Sequence, residues 1–152
     1  MRRSTLLNKS KGILLTTEIV DKIINNEIKS VIIPVTNRNL YSNKDILYCK
    51  EQSIDENGKI IVTTKDTCRC FIKINKYTLC KTDYITNEIA ISMGFENIDS
   101  LIKNYNEYIK YYLEMTCRNE CQKVTLFKNI YQFNKNPDIQ IISFEKLESS
   151  NC

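Results

Sequence analysis

Apolar positions along the chain fall into short runs separated by polar turns, and the spacing inside each run predicts its element. Residues 11–15 (KGILL) read as a short strand. Beyond it, Ile19, Val20, Ile23 and Ile24 recur at helical spacing, which predicts a helix over 18–25 capped by the Thr17 hydroxyl. Residues 29–33 (KSVII) are β-branched and strand-like, and Pro34 closes them. A polar loop over 37–43 leads into a strand over 45–50, DILYCK. The turn signal DENG at 55–58 precedes a strand, KIIVTT. In CRCFIKINKYTL, residues 68–79, alternation puts Cys68, Cys70, Ile72 and Ile74 on a dry side and Arg69, Phe71, Lys73 and Asn75 on a wet one. Thr86 is placed to cap a short helix, NEIAISM, which Gly94 can end. Ile98, Leu101, Ile102, Tyr105, Ile109, Tyr112 and Leu113 then mark an amphipathic helix. Two strands close the chain, VTLFKNIYQF and IQIISFEKL, on either side of an Asn136-Pro137 turn.

Strand and helix do not alternate regularly in this order. That argues against a doubly wound parallel sheet and for an α+β fold, a small, mostly antiparallel sheet or barrel decorated by helices. A chain of 152 residues, 42% of them hydrophobic, fits one domain with a real core. The elements occupy 11–147, which leaves 1–10 as an expected flexible N-terminus and 148–152 as an expected frayed C-terminus. The formal charge of +4 permits a nucleic-acid partner without demanding one. Seven cysteines cannot all pair within the chain. The apolar runs near the N-terminus are too short for a leader peptide, and no segment nears the roughly 20 apolar residues of a membrane span. These features point to a reducing cytoplasm or nucleus, free thiols and no membrane partner. Heavy use of Ile, Asn, Lys and Tyr reads as the coding bias of an AT-rich genome, and a viral source would fit it.

Four local motifs resemble those of the ASCH domain, a family of the PUA-like superfamily. The turn Glu27-Ile28-Lys29-Ser30 stands where that family has a G-R-K-T-like turn. Lys44-Asp45-Ile46-Leu47-Tyr48-Cys49-Lys50-Glu51 resembles its strand G-D-x-L-x-V-[RK]-E. Ile85-Thr86-Asn87-Glu88-Ile89-Ala90-Ile91-Ser92-Met93-Gly94-Phe95 resembles I-T-x-x-x-A-x-x-x-G-[FI]. Asn136-Pro137 and Phe144-Glu145 resemble its closing turn and the F-E end of its last strand. The motifs come in the family's order and span 11–147. The resemblance implies a PUA-like β-barrel that binds RNA or a modified nucleotide in a cleft between barrel and first helix. It also implies that Lys29 and Glu51 face that cleft, with Ser30, Arg38 and Lys50 beside them. A lysine can hold a phosphate there, and a carboxylate can accept hydrogen bonds from a base edge. The competing reading is an ion pair at a barrel rim, or two solvated charges. Lys73 and Lys76, interleaved with Phe71 and Tyr77, suit phosphate contact with base stacking, although an ordinary solvated strand face has the same pattern.

Catalysis is testable against the same residues. Some small ASCH-like proteins are amidohydrolases of acylated cytidine, with a Lys/Thr/Glu trio. The resemblance puts that lysine at Lys29, but the threonine falls at Ile32 and the glutamate at Met93. Neither can supply a nucleophile or move a proton. Ser30 neighbours Lys29, but adjacent strand positions face opposite ways. The chain has no histidine, which removes the commonest acid and base for RNA cleavage. The expectation is therefore a non-catalytic RNA- or modified-nucleotide-binding module without a cofactor. The alternatives are a nucleoside amidohydrolase or ribonuclease with a rearranged site, and a protein-interaction module whose partner surface would be the Ile/Tyr-rich helix. The tyrosines at 105, 108, 111 and 112 read as core and rim of that helix, and the oligomeric state is left open. Cys68, Cys70, Cys80, Cys117 and Cys121 are enough thiols for zinc, but the chain has no C-x-x-C knuckle. No metal is expected, and the thiols read as small buried apolar groups. Cys117 and Cys121, near a helix end, are placed to pair in an oxidising setting.

Overall fold

The computed structural model describes residues 9–36, 40–54, 56–117 and 119–148. The described elements, in order, are β1 (Lys11–Leu14), α1 (Thr17–Ile24), β2 (Ser30–Pro34), β3 (Ile46–Lys50), β4 (Gln52–Ile54), β5 (Ile60–Val62), β6 (Phe71–Lys81), α2 (Asn87–Ser92), α3 (Ile98–Thr116), α4 (Glu120–Leu126) and β7 (Asp138–Leu147). Five strands form one sheet in the order β1-β3-β6-β7-β2, and β4 pairs with β5 in a separate two-stranded ribbon. β1 runs parallel to β3, and β3 antiparallel to β6. The fold is α+β, but the sheet ends on β1 and β2 and is not closed into a barrel. Closure would need the edge strands to pair over a staggered ladder, and edges of four and five residues offer few bonds for it.

The chain divides into two compact units. The first comprises described residues of Met1–Lys29, Tyr41–Lys76 and Ser143–Cys152, the second those of Ser30–Leu40 and Tyr77–Ile142. β6 and β7, the two longest strands, each contribute to both.

In the first unit, Ile13, Leu15, Val20, Ile23, Leu47, Ile72 and Ile74 are buried, as the apolar pattern requires. Helix α1 starts one residue earlier than predicted. Thr16, in extended conformation, is the cap, and its hydroxyl accepts from Ile19 N at 3.2 Å. Gly12 lies opposite Tyr48, and a Cβ there would sit 2.6 Å from Lys50 Cδ and 2.9 Å from the end of the Tyr48 side chain, so any larger residue would require those side chains to shift. The predicted wet side of β6 is broken at Phe71, which is 2% exposed. It packs with Cys68, flanked by Ile46, Tyr48 and Leu147, in a small cluster of its own. Cys68 lies ahead of the strand, so strict alternation does not reach back to it.

In the second unit, Val31, Ile33, Ala90, Leu101, Tyr105, Ile109, Ile139 and Ile142 are buried. Thr86 caps α2 as predicted, accepting from Ile89 N at 3.2 Å, and Gly94 follows at φ 99°. Asn97 caps α3 in the same way. The predicted strand over 124–133 is instead helical: α4 runs into further helical turns over Phe127–Tyr131 and Phe133–Lys135. Asn119 starts this segment by accepting from Gln122 N at 3.0 Å. Val124 and Ile130 are left exposed, so the apolar alternation that suggested a strand is not used for burial. Among the described residues, no helix is long and apolar enough to cross a membrane. The expected flexible N-terminus and frayed C-terminus lie, but for Lys9, Ser10 and Glu148, outside the described residues, as does Arg38.

Candidate functional site

Lys29 ends the turn that follows α1. Asn26, at φ 59°, closes the helix in left-handed conformation, and Glu27 N donates back to Lys22 O at 2.8 Å. Phe144 N then donates to Lys29 O at 2.9 Å. The backbone of Lys29 is thereby pinned to β7 while its side chain stays exposed. The side chain lines an open cleft of about 350 Å³ together with Asn75, Glu145 and Lys146, above Ile23 and Phe144. Lys146 is engaged locally, since its ammonium donates to Ile24 O at the end of α1 at 3.0 Å and lies 3.4 Å from Glu148. Lys29, Asn75 and Glu145 have no side-chain hydrogen bond or ion pair among the described residues. The cleft thus presents one unpaired cation, Lys29, one unpaired carboxylate, Glu145, and the amides of Asn26 and Asn75 beside an apolar floor.

Glu51 has a different environment. It is 5% exposed, and Arg69 grips both of its oxygens, Nε to Oε2 at 3.0 Å and Nη2 to Oε1 at 2.5 Å. The second nitrogen also reaches Asp21 on α1 at 2.8 Å. The backbone of Glu51 is fixed as well, since its N–H donates to the Thr63 hydroxyl and its carbonyl accepts from Thr63 N, each at 2.9 Å. The hydrogen bond to Glu51 pushes the Arg69 guanidinium still further above its ordinary range, with partial burial opposing and Asp21 adding to the effect. The partner of Glu51 is therefore Arg69 rather than Lys29, and Glu51 is not a wall of the Lys29 cleft. The sequence reading placed Arg69 on a wet strand face and missed this role. A chemical signal was present: a buried carboxylate favours a planar, two-pronged partner, and Arg69 is the only arginine among the described residues.

The remaining predicted residues are dispersed. Lys50 is half-buried at the end of β3, where its carbonyl accepts from Leu15 N at 2.9 Å. Lys73 is half-buried on β6 opposite Ile46, and Lys76 is exposed farther along the same strand. None of these three ammonium groups makes an ion pair among the described residues. Ser30 opens β2, in the second unit. Ile32 is half-buried, and Met93 is buried at the end of α2.

An α+β domain on an open five-stranded sheet, with a mixed-charge cleft in its first unit, is the class these observations define. Among solved structures, the fold is similar to that of a protein from Enterococcus faecalis V583 assigned to the family model DUF984. The TM-score is 0.52 at 10% identity, over 86% of this chain and 67% of that one. It is also similar to an ASCH domain from Lactobacillus crispatus JV V101, with a TM-score of 0.44 at 15% identity, over 83% of this chain and 68% of that one. At these identities the likeness concerns the fold alone. No family model matches the sequence, and no curated protein does.

Proposed function

We propose that the chain is a PUA-like binding module that holds RNA or a modified nucleotide in the Lys29 cleft and performs no chemistry on it. The observation that carries this reading is the grouping of Lys29, Asn75 and Glu145, unpaired among the described residues, around an open cleft of about 350 Å³. Lys29 suits a phosphate. The Asn75 amide can both donate to and accept from a base edge, and Glu145 can accept from an exocyclic amino group. Lys73 and Lys76 supply further cations on the strand that carries Asn75, suited to a single-stranded backbone. Ile32 and Met93, where the amidohydrolases of the resemblance carry threonine and glutamate, favour binding over turnover. Glu51 enters this reading as the anchor of Arg69 rather than as a ligand contact.

The test is anisotropy of a short labelled single-stranded RNA, titrated at several salt concentrations. Lys29→Ala combined with Lys73→Ala and Lys76→Ala is expected to weaken binding by at least about tenfold. It should also flatten the dependence of log K on log salt by about 2, since each lost phosphate contact on a single strand removes roughly 0.7. Unchanged affinity in the triple variant would refute the site. Turnover of acylated cytidine that disappears in Lys29→Ala would make the enzymatic alternative the better one.

A further inference from the structure

The antiparallel pairing of β3 with β6 sets two thiols against each other. The register that matches Leu47 with Ile72 and Tyr48 with Phe71 continues to Cys49 and Cys70, and Cys49 N donates to Cys70 O at 3.1 Å. The two sulfurs are 3.2 Å apart, within hydrogen-bonding distance of each other. A disulfide requires about 2.05 Å between sulfurs and Cα atoms about 4.4–6.8 Å apart. Opposed residues of an antiparallel pair have Cα atoms about 4.5–5.5 Å apart, inside that window. The strands therefore need no shift in register for a bond to form, and the sulfurs must close by only about 1 Å.

The two thiols are not equivalent. Cys49 is 0% exposed, whereas Cys70, at 6%, forms part of the wall of an open cleft of about 160 Å³. Arg69 and Lys146 line the same cleft. A hydrogen bond with Cys49 favours the Cys70 thiolate and brings it below its ordinary range. Burial and Glu51 oppose this, while Arg69 and Lys146 reinforce it. The same hydrogen bond, together with burial, holds Cys49 protonated well above its ordinary range. Cys70 thus borders a small cleft that it shares with Arg69, Lys146 and Glu148, whereas Cys49 is wholly buried.

We propose that Cys49 and Cys70 form a reversible disulfide, with Cys70 as the peroxide-reactive thiol and Cys49 as the thiol that resolves it. In the first step the Cys70 sulfur attacks one peroxide oxygen. An S–O bond forms, the O–O bond breaks, and the departing hydroxide takes the thiol's proton as water. Cys70 is then a sulfenic acid. In the second step the Cys49 sulfur attacks the Cys70 sulfur. The S–S bond forms, the S–O bond breaks, and hydroxide leaves with the Cys49 proton as a second water. The two thiols are oxidised by two electrons in all, and hydrogen peroxide is reduced by the same two. A dithiol reductant reverses the change by thiol–disulfide exchange. Transient, sensing disulfides of this kind are the sort that occur in reducing compartments.

The experiment uses the wild-type chain. It is treated with about one equivalent of hydrogen peroxide, then denatured, alkylated and mapped by peptide mass spectrometry. The expected product is a Cys49–Cys70 cross-linked peptide with a loss of about 2 Da, formed at least about tenfold faster than any oxidation of exposed Cys121. It should vanish on treatment with a dithiol. Cys121 reacting first, or at the same rate as the pair, would overturn the proposal. In Cys49→Ala the resolving thiol is gone, so dimedone should trap a sulfenic acid on Cys70. A variant with wild-type unfolding behaviour and no such adduct would also overturn it. If the variant does not fold, the wild-type map alone decides.

Discussion

Glu51 and Lys29 carry opposite charges and sit at the ends of neighbouring motifs, yet their side chains have opposite surroundings. Glu51 has lost its water and gained both prongs of Arg69, whereas Lys29 keeps its solvent. The two should therefore answer differently to mutation. Glu51→Ala leaves Arg69 with Asp21 alone and is expected to cost about 1–3 kcal/mol of stability, the range for losing a charged hydrogen-bond partner. Asp21→Ala removes a solvent-facing contact and should cost less than about 1 kcal/mol. Urea unfolding of both variants checks this, and a Glu51→Ala within experimental error of wild type would show that the pair holds nothing together. Lys29→Ala should leave the unfolding curve in place. The sequence could not separate these roles, because Glu51 has Lys29, Lys50 and Arg69 as candidate cations, and sign alone does not choose between them. Cys49 and Cys70 make the same point: periodicity marks both as buried, but only the register between strands makes them neighbours.

At the scale of elements, local signals worked where they ended or started a helix and failed where apolar residues stayed in solvent. Thr86 and Gly94 bracket α2 as read from the sequence. The 124–133 segment is rich in residues that favour strands, yet the Asn119 cap and the packing of Phe133 edge-on against Tyr105, at 5.6 Å between ring centres, make it helical. The turn that follows was legible, and its chemistry can be tested. Asn136 adopts φ 55°, and its side-chain oxygen accepts from Asp83 N at 2.9 Å. Asn136→Gly keeps the left-handed backbone and loses the side-chain hydrogen bonds to Asp83 and Thr82, the shortest of them from Asp83 N, so it should cost about 0.5–1.5 kcal/mol. Asn136→Ala loses the bonds and the left-handed backbone alike and should cost about 1–2 kcal/mol more than the glycine variant. Equal destabilisation of the two, measured by urea unfolding, would show that the bonds alone matter at this turn. Gln140 was not legible at all. It is fully buried inside β7, with Tyr77 donating to its oxygen at 2.8 Å and its amide donating to Pro34 O at 3.0 Å.

For the molecule as a whole, the irregular order of strands and helices was enough to give the α+β class. Whether the sheet closes was not legible, because closure depends on the pairing of edge strands that lie far apart in sequence. Stability against pH is a property of the whole chain that now has a structural handle. With no histidine, the chain lacks the side chain that ordinarily titrates between about pH 5 and 8. On the alkaline side, burial pushes the Tyr105 phenol up, with Tyr131 adding to the effect, and the hydroxyl donates to Tyr131 O at 3.0 Å. The folded chain therefore keeps this proton after the unfolded chain, whose tyrosines ionise near about pH 10, has released it. With more protons bound in the native state, stability falls as pH rises. The Tyr105 contribution is fully present below about pH 10 and is lost above it, toward the raised folded value. Tyr105→Phe should cost about 0.5–1.5 kcal/mol at pH 8 through the lost hydrogen bond. Above about pH 10 the variant should lose stability less steeply than wild type, so that the gap between them narrows. Urea unfolding of both proteins at pH 8 and pH 11 reads this directly, and a gap of constant size would mean that Tyr105 ionises in the folded chain as easily as in the unfolded one.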